Sequence, residues 1–191
     1  MIFDRSTVIF FKEEMSPLNY KEHKETIRHM LRCACIAYKF AEYIGLNDKD
    51  KALLSKSALL HDIGKFRIPT GILYKRGRLS DNEFAVIKTH TEYLNVSNKL
   101  DNIVLEVINF HHERPDCKGY KGINANELHD FVKIISIIDA YDVMMNKRCY
   151  KNIVLSKEQI YMEIFNNIGK QFDCKYALLF LNFLNKKSTK N

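Results

Sequence analysis

Between Val132 and Met145 the chain runs almost wholly apolar, through Ile134, Ile135, Ile137, Ile138 and Val143, and into this stretch it sets Asp139 and Asp142. A segment of this length and character is expected to be a buried helix. A carboxylate buried with it is costly unless it is paired or metal-bound. The rest of the chain must therefore deliver a partner to Asp139, which restricts the fold to one that gathers polar groups around an apolar centre. Glycine and proline, the two residues that break helix interiors, number only 7 and 3. With 191 residues, 46% of them apolar, the expectation is one all-α domain, a helical bundle with short connections and a sizeable core. Its expected limits are residues 23–185, with 1–22 as an N-terminal arm or short cap and 186–191 as a basic tail.

The order of elements follows from periodicity and capping. From about Tyr20, Ile27, Leu31, Ala34, Tyr38 and Ala41 recur at helical spacing, and Gly45 closes that helix. Asn47 is an N-cap candidate for the next, whose Leu53, Leu54, Ala58 and Leu60 lead into His61-Asp62-Ile63-Gly64-Lys65. Neighbouring His and Asp side chains point to different sides of a helix, so they serve one centre only where the helix is ending, and Gly64 is expected to supply that end. Pro69 and Gly71 mark a loop rather than more helix. Ser80-Asp81-Asn82-Glu83 has the pattern of a capping box opening a helix with Phe84, Ile87, His90 and Leu94. Asp101 opens another that ends at His111-His112-Glu113, and Arg114 to Asn126 is the longest expected loop. Ser156 and Asp173 cap two further helices, the last with Ala177, Phe180, Leu181 and Leu184 inward.

Glu25 and His29 stand four apart and share a helix face. Together with His61, Asp62, His90, His111, His112 and Asp139 they make eight groups of metal-ligand type on five helices. An imidazole offers one nitrogen to one ion, whereas the Asp62 carboxylate has two oxygens and can bridge two. Nitrogen and oxygen donors without thiolate suit iron, manganese, nickel or zinc, and eight exceed what one ion needs, so two or three divalent ions are expected. Lys65 adds a cation where an anionic substrate would lie. His23 and His129 join no pattern and read as surface residues. The excess of 30 basic over 23 acidic residues favours an anionic partner without choosing between nucleotide, nucleic acid and lipid. Five cysteines without a C-x-x-C pair exclude common zinc-finger spacings and, being odd in number, suggest reduced thiols in a cytoplasm. The apolar run Val8 to Phe11 is far below the ~20 residues of a membrane span, so no membrane partner is expected.

The order Glu25/His29, His61-Asp62, His90, His111-His112, Asp139 resembles the HD superfamily of metal-dependent phosphohydrolases, and specifically its HD-GYP branch. The resemblance covers roughly residues 25–182. It includes Ile68-Pro69 after the His-Asp motif, Glu113-Arg114 with Asp116, Gly119-Tyr120, Asp139-Ala140-Tyr141-Asp142, Arg148-Cys149-Tyr150-Lys151, and Gly169 with Phe172-Asp173. It implies an all-α bundle with a central metal site that hydrolyses a cyclic dinucleotide, cyclic di-GMP ahead of cyclic GMP-AMP. Iron or manganese would be the metal. His29, His61, Asp62 and Asp139 would hold one ion and Asp62, His90, His111 and His112 its neighbour, with Glu25 matching the extra carboxylate of three-ion variants. Lys65 would contact the scissile phosphate, and Tyr120, Arg148 and Lys151 would bind the dinucleotide. Water between two such ions loses its proton near neutral pH and can attack phosphorus. A nucleotide, rather than a nucleic acid, is the expected partner.

Four departures bear on the substrate. Gly119-Tyr120 is followed by Lys121 where the branch has proline, Cys117 stands where glycine is usual, the following loop is shorter by about one residue, and Cys149 replaces the proline before Tyr150. None removes a ligand-type residue. They concern the loop that in the branch contacts substrate and docks diguanylate cyclase domains. Two further readings stand beside the cyclic dinucleotide phosphodiesterase: an HD-type hydrolase of a mononucleotide, and a binding module that keeps the fold without turnover. The Val132 to Met145 helix is apolar enough to serve a homodimer seam as well as a monomer core.

Overall fold

The computed structural model describes residues 7, 21–92, 100–146 and 155–188. Arg148 and Lys151, with Cys149, lie outside the described residues, as do Leu94 and nearly all of the 1–22 segment. The described chain is all-α, with eight α-helices and three 3-10 turns, and its only β-type pairings are two isolated bridges. In chain order the helices are α1 (Lys24–Tyr43), α2 (Asp48–Leu60), α3 (Thr70–Leu73), α4 (Asp81–Lys88), α5 (Asn102–Phe110), α6 (Asp130–Met145), α7 (Lys157–Asn166) and α8 (Cys174–Ser188). Among them none is long and apolar enough to cross a membrane.

Local chemistry accounts for the boundaries. Gly45, at φ +78°, ends α1 in a Schellman motif: its N–H donates to the Glu42 carbonyl and the Leu46 N–H to that of Ala41. Asn47 then caps α2 by accepting from the Asp50 N–H at 2.9 Å. Ser80 and Ser156 both form complete capping boxes, with Glu83 and Gln159. Asp173 accepts from the Tyr176 N–H at 3.0 Å and opens α8. The Pro69–Gly71 segment departs from expectation, because it folds as the four-residue helix α3 with Pro69 as its N-cap. Proline lacks the N–H that a helix start leaves unused in any case, so it starts a helix here as readily as it would break one.

Helix α6 is the axis of the larger core. Ile134, Ile135, Ile137 and Ile138 are all buried against α1, α5 and α8, each contributing roughly 1.5–3 kcal/mol relative to exposure. That burial offsets the cost of carrying Asp139 and Asp142 inward. A second cluster joins Ile27, Met30 and Ala34 of α1 to Leu59, Leu60 and Ile63 and to Val104 and Ile108 of α5. The buried face of α1 is Ile27, Met30, Cys33, Ala34, Ala37, Phe40 and Ala41, which is rotated from the expected stripe: Leu31 is exposed and Tyr38 half-buried. The small residues Ala34, Ala37 and Ala41 are the cause, since they let neighbouring helices approach where larger side chains would hold them off. At the C-terminus α8 continues through the expected basic tail to Ser188, and Lys186 Nζ lies 5.1 Å from the Tyr43 ring centroid.

Candidate metal centre

Three of the histidines stand where helices end. His61 is the C-cap of α2, His111 that of α5, and His90 lies in the 3-10 turn after α4. The last carbonyls of a helix have no intrahelical donor, and each of these imidazoles supplies one. His61 Nδ1 donates to the Ala58 carbonyl at 2.8 Å, His90 Nδ1 to Ile87 at 2.6 Å, and His111 Nδ1 to Val107 at 3.0 Å. A carbonyl can only accept, so Nδ1 carries the hydrogen and Nε2 presents its lone pair to the interior. His29, in the second turn of α1, is oriented differently, its Nδ1 meeting the buried Asp142 Oδ2 at 2.7 Å. Arg32 holds Asp142 in turn with two hydrogen bonds of 2.7 Å.

The inward nitrogens surround Asp62. Its Oδ2 lies 3.5 Å from His29 Nε2 and 3.4 Å from His61 Nε2, while its Oδ1 lies 3.5 Å from His90 Nε2 and 3.6 Å from His111 Nε2. Asp139 Oδ1 joins the first set, 3.0 Å from His29 Nε2 and 4.0 Å from His61 Nε2. His112 joins the second, grouped with Asp62, His90 and His111. Each Asp62 oxygen therefore faces its own group of donors. Glu25 stands apart from these groups; it is half-buried on the wall of the adjoining cavity and has no hydrogen-bond or ion-pair partner among the described residues.

The electrostatics leave this cluster short of cations. His61, His90, His111 and His112 Nε2 and Asp62 Oδ1 are buried with no hydrogen-bond partner. Each orphaned group of this kind costs about 1–3 kcal/mol. Burial, followed by the nearby Lys65 ammonium, pulls His90 down to about 3. Burial likewise lowers His111, and lowers His112 well below the ordinary value with the help of His111. These three are therefore neutral donors at pH 7. For His61 burial acts downward, but the Asp62 and Asp139 carboxylates outweigh it and the net shift is upward. Burial pushes Asp62 and Asp139 up, yet Lys65 and His61 on the one and His29 on the other hold both well below the usual carboxylate range. The donor set could hold divalent metal: its atoms, at 3.4–3.6 Å, have almost the spacing of ligands on a shared ion with bonds of ~2.1 Å.

Lys65 Nζ is 2.6 Å from Asp62 Oδ2 and lines a cavity of about 310 Å³ together with Glu25, Tyr74, His112, Tyr120 and Asp139. Tyr120 packs against His112 with ring centroids 4.3 Å apart and the planes tilted by 34°. Glu113 shapes the loop that carries Tyr120, accepting from the Lys121 and Ile123 N–H groups at 2.8 Å each. A Cβ on Gly119 would lie 2.6 Å from Glu113 Cα, so only glycine fits there. Cys117 adopts φ +57°, the left-handed conformation in which glycine is usual. Gly64 has a role other than the one expected from sequence. α2 has already ended at Leu60, and a Cβ on Gly64 would fall 2.1 Å from the His90 carbonyl oxygen, so the glycine permits close approach of the two histidine-bearing turns.

Several residues were misplaced or missed by pattern alone. His23 is buried, edge-on to Phe66 at 5.3 Å, and not at the surface. His129 is half-buried and caps α6 by accepting from the Phe131 N–H at 3.1 Å. Asp142 was visible as a second carboxylate three residues after Asp139, but its grip on His29 was not. Cys33, four residues after His29, places Sγ 3.6 Å from His29 Nδ1 and 3.8 Å from Nε2.

A profile of the HD domain family matches residues 26–144. The chain is 32% identical over 164 residues, 83% of its length, to 3'3'-cGAMP-specific phosphodiesterase 2 of Vibrio cholerae. It is 33% identical over 175 residues, 88% of its length, to a cyclic di-GMP phosphodiesterase of Thermotoga maritima. It spans 31% and 47% of the lengths of these two relatives. Among solved structures, Bd1817, an HDG"Y"P protein from Bdellovibrio bacteriovorus, shares the fold with a TM-score of 0.66 at 18% identity, over 83% of this chain and 52% of that one.

Proposed function

Since the chain belongs to the HD domain family, we propose that it is a metal-dependent phosphodiesterase of the HD-GYP kind that hydrolyses a cyclic dinucleotide, with cyclic di-GMP ahead of 3'3'-cGAMP. The observation that carries this reading is the set of five buried, unpartnered polar atoms, Asp62 Oδ1 and the Nε2 atoms of His61, His90, His111 and His112. Three of these imidazoles are held neutral and are gathered with the Asp62 carboxylate, an arrangement of lone pairs that a cation between them would relieve. His29, His61, Asp62 and Asp139 would hold one ion, and Asp62, His90, His111 and His112 a second, with Asp62 shared. Iron or manganese fits this nitrogen and oxygen set. Glu25, on the cavity wall, is the carboxylate for a third ion. When bound, such ions supply an acidified water and neutralise charge on phosphoryl oxygens.

The remaining roles belong to the chain's own residues. Asp142 and three helix-end carbonyls hold His29, His61, His90 and His111 with their lone pairs inward, so no tautomer change is needed during the reaction. Lys65, half-buried between Asp62 and the cavity, takes a non-bridging oxygen of the scissile phosphate. Tyr120 forms the wall against which the nucleotide lies. Arg148 and Lys151 bind the dinucleotide on the family pattern. The substrates for which the relatives are named support the cyclic dinucleotide class and include both cyclic di-GMP and 3'3'-cGAMP. The test is to incubate protein loaded with manganese or, without oxygen, ferrous iron with cyclic di-GMP and 3'3'-cGAMP separately, and to separate the products by chromatography. Ring opening of cyclic di-GMP at the higher kcat/KM is expected. Cleavage of neither by fully loaded protein would overturn the proposal.

A further inference from the structure

Lys88, the last residue of α4, is a cation that the site described above leaves without a task, and it lies beside Tyr120, which lines the cavity. Its Nζ lies 5.0 Å from the centroid of the Phe84 ring and 5.4 Å from that of Tyr120. No carboxylate pairs with it among the described residues, although Lys51, Lys56, Lys65, Lys75 and Lys133 are each matched to one. Phe84 precedes it by four residues, so ring and ammonium share one helix face. That face is turned to the site: Phe84 meets Tyr120 edge-on at 5.9 Å, and Tyr120 in turn packs at a tilt against His112, whose Nε2 is one of the orphaned acceptors. A chain of ring contacts thus leads from the buried centre through Tyr120 to Phe84 and ends beside a positive charge.

Two structural explanations are weaker than a binding role. A lysine in the last turn complements the helix dipole, but that needs only proximity to the final carbonyls and not two rings. Packing alone does not account for Phe84, which is 42% exposed. The rings do restrict where the ammonium sits, which lowers the entropy lost when it receives an anion.

We propose that Lys88, positioned by Phe84 and Tyr120, is a substrate-binding cation that receives the phosphate of the dinucleotide that is not being cut. This rests on the cyclic dinucleotide reading above, in which Lys65 serves the scissile phosphate. The second phosphate distinguishes this substrate class from a mononucleotide, so Lys88 would contribute to choosing it.

The experiment is steady-state kinetics of the manganese-loaded full chain, wild type beside Lys88→Met, Lys88→Arg and Phe84→Leu. Cyclic di-GMP is compared with bis(p-nitrophenyl) phosphate, a probe with a single phosphodiester. Loss of one charge-assisted contact should raise KM for cyclic di-GMP by about tenfold more than KM for the probe in Lys88→Met. The salt dependence of that KM should shrink, Lys88→Arg should recover most of the loss, and Phe84→Leu should show a smaller rise. Equal KM changes for both substrates, or a lowered Tm with an unchanged KM ratio, would assign Lys88 to the helix alone and overturn the inference. A wild type that cleaves the probe and not cyclic di-GMP would overturn the substrate reading and this inference together. Wild-type turnover of cyclic di-GMP with no change in Lys88→Met would overturn the inference only.

Discussion

Replacing Asp142 tests whether the ligand sphere depends on the residues behind it. Asp142 Oδ2 accepts from His29 Nδ1 and Arg32 Nη2, both at 2.7 Å, and Oδ1 accepts from Arg32 Nε at 2.7 Å and Asn146 Nδ2 at 3.0 Å. In Asp142→Asn the new amide nitrogen must face two donors on one side. The cheaper arrangement keeps the oxygen on buried His29 and turns the nitrogen toward Arg32, whose side chain is 37% exposed and can move into water. The His29 bond then survives without its charge assistance, a loss of about 1–1.5 kcal/mol. If His29 binds metal through Nε2, Mn²⁺ affinity should fall about tenfold in Asp142→Asn and approach a hundredfold in Asp142→Ala, which removes the acceptor outright. Competition for Mn²⁺ against a fluorescent chelator reads both. An Asp142→Ala protein that is folded and binds Mn²⁺ within about twofold of wild type would refute the orienting role.

Gly64→Ala should destabilise the protein by at least about 1–3 kcal/mol, because the added methyl would sit 2.1 Å from the His90 carbonyl oxygen; an unchanged Tm would contradict the close approach. Lys121→Pro, which would turn Gly119-Tyr120-Lys121 into Gly-Tyr-Pro, should lower rather than raise stability, by about 1–3 kcal/mol, since it deletes the N–H that Glu113 Oε1 accepts at 2.8 Å. Denaturant unfolding would show it, and a stabilised variant would mean that the loop differs from this arrangement. The metal-free protein should lose stability as pH falls from about 6.5 toward 3. His90, lowered to about 3, and His111 and His112, also lowered, stay neutral in the fold while the unfolded chain takes up protons. The slope approaches 1.4 kcal/mol per pH unit for each such histidine below about pH 6. His61, shifted upward, is protonated in both states there and does not reverse the sign. Urea midpoints that are flat or rising between pH 6.5 and 5 would contradict this.

The helices and the donor types were legible because both follow from local rules. Capping signals at Asn47, Ser80, Ser156 and Asp173 mark helix starts by satisfying the first N–H groups, and all four do so in the structure. Asp139 announced a polar centre because an apolar helix cannot bury a carboxylate unaided. What stayed hidden depends on which surfaces meet. The role of Gly64 is set by the His90 backbone, 26 residues away in sequence, and that of Asp142 by His29, 113 residues away. The face of α1 was misjudged because size decided it: alanines admit close helix approach, whereas Leu31 remains outside. His23 showed no spacing to other ligand-type residues and is buried by aromatic contacts instead. The surroundings of Lys88 are likewise set at a distance, by Tyr120, 32 positions later.

The most direct test of the central claim is to measure bound metal and cyclic di-GMP turnover together, in wild type and Asp62→Ala purified without oxygen and loaded with ferrous iron or manganese. Asp62 presents one oxygen to His29 and His61 and the other to His90 and His111. The account predicts at least two ions per wild-type chain, and loss of both metal and turnover in the variant. An Asp62→Ala protein that keeps its full metal complement and its rate would contradict it.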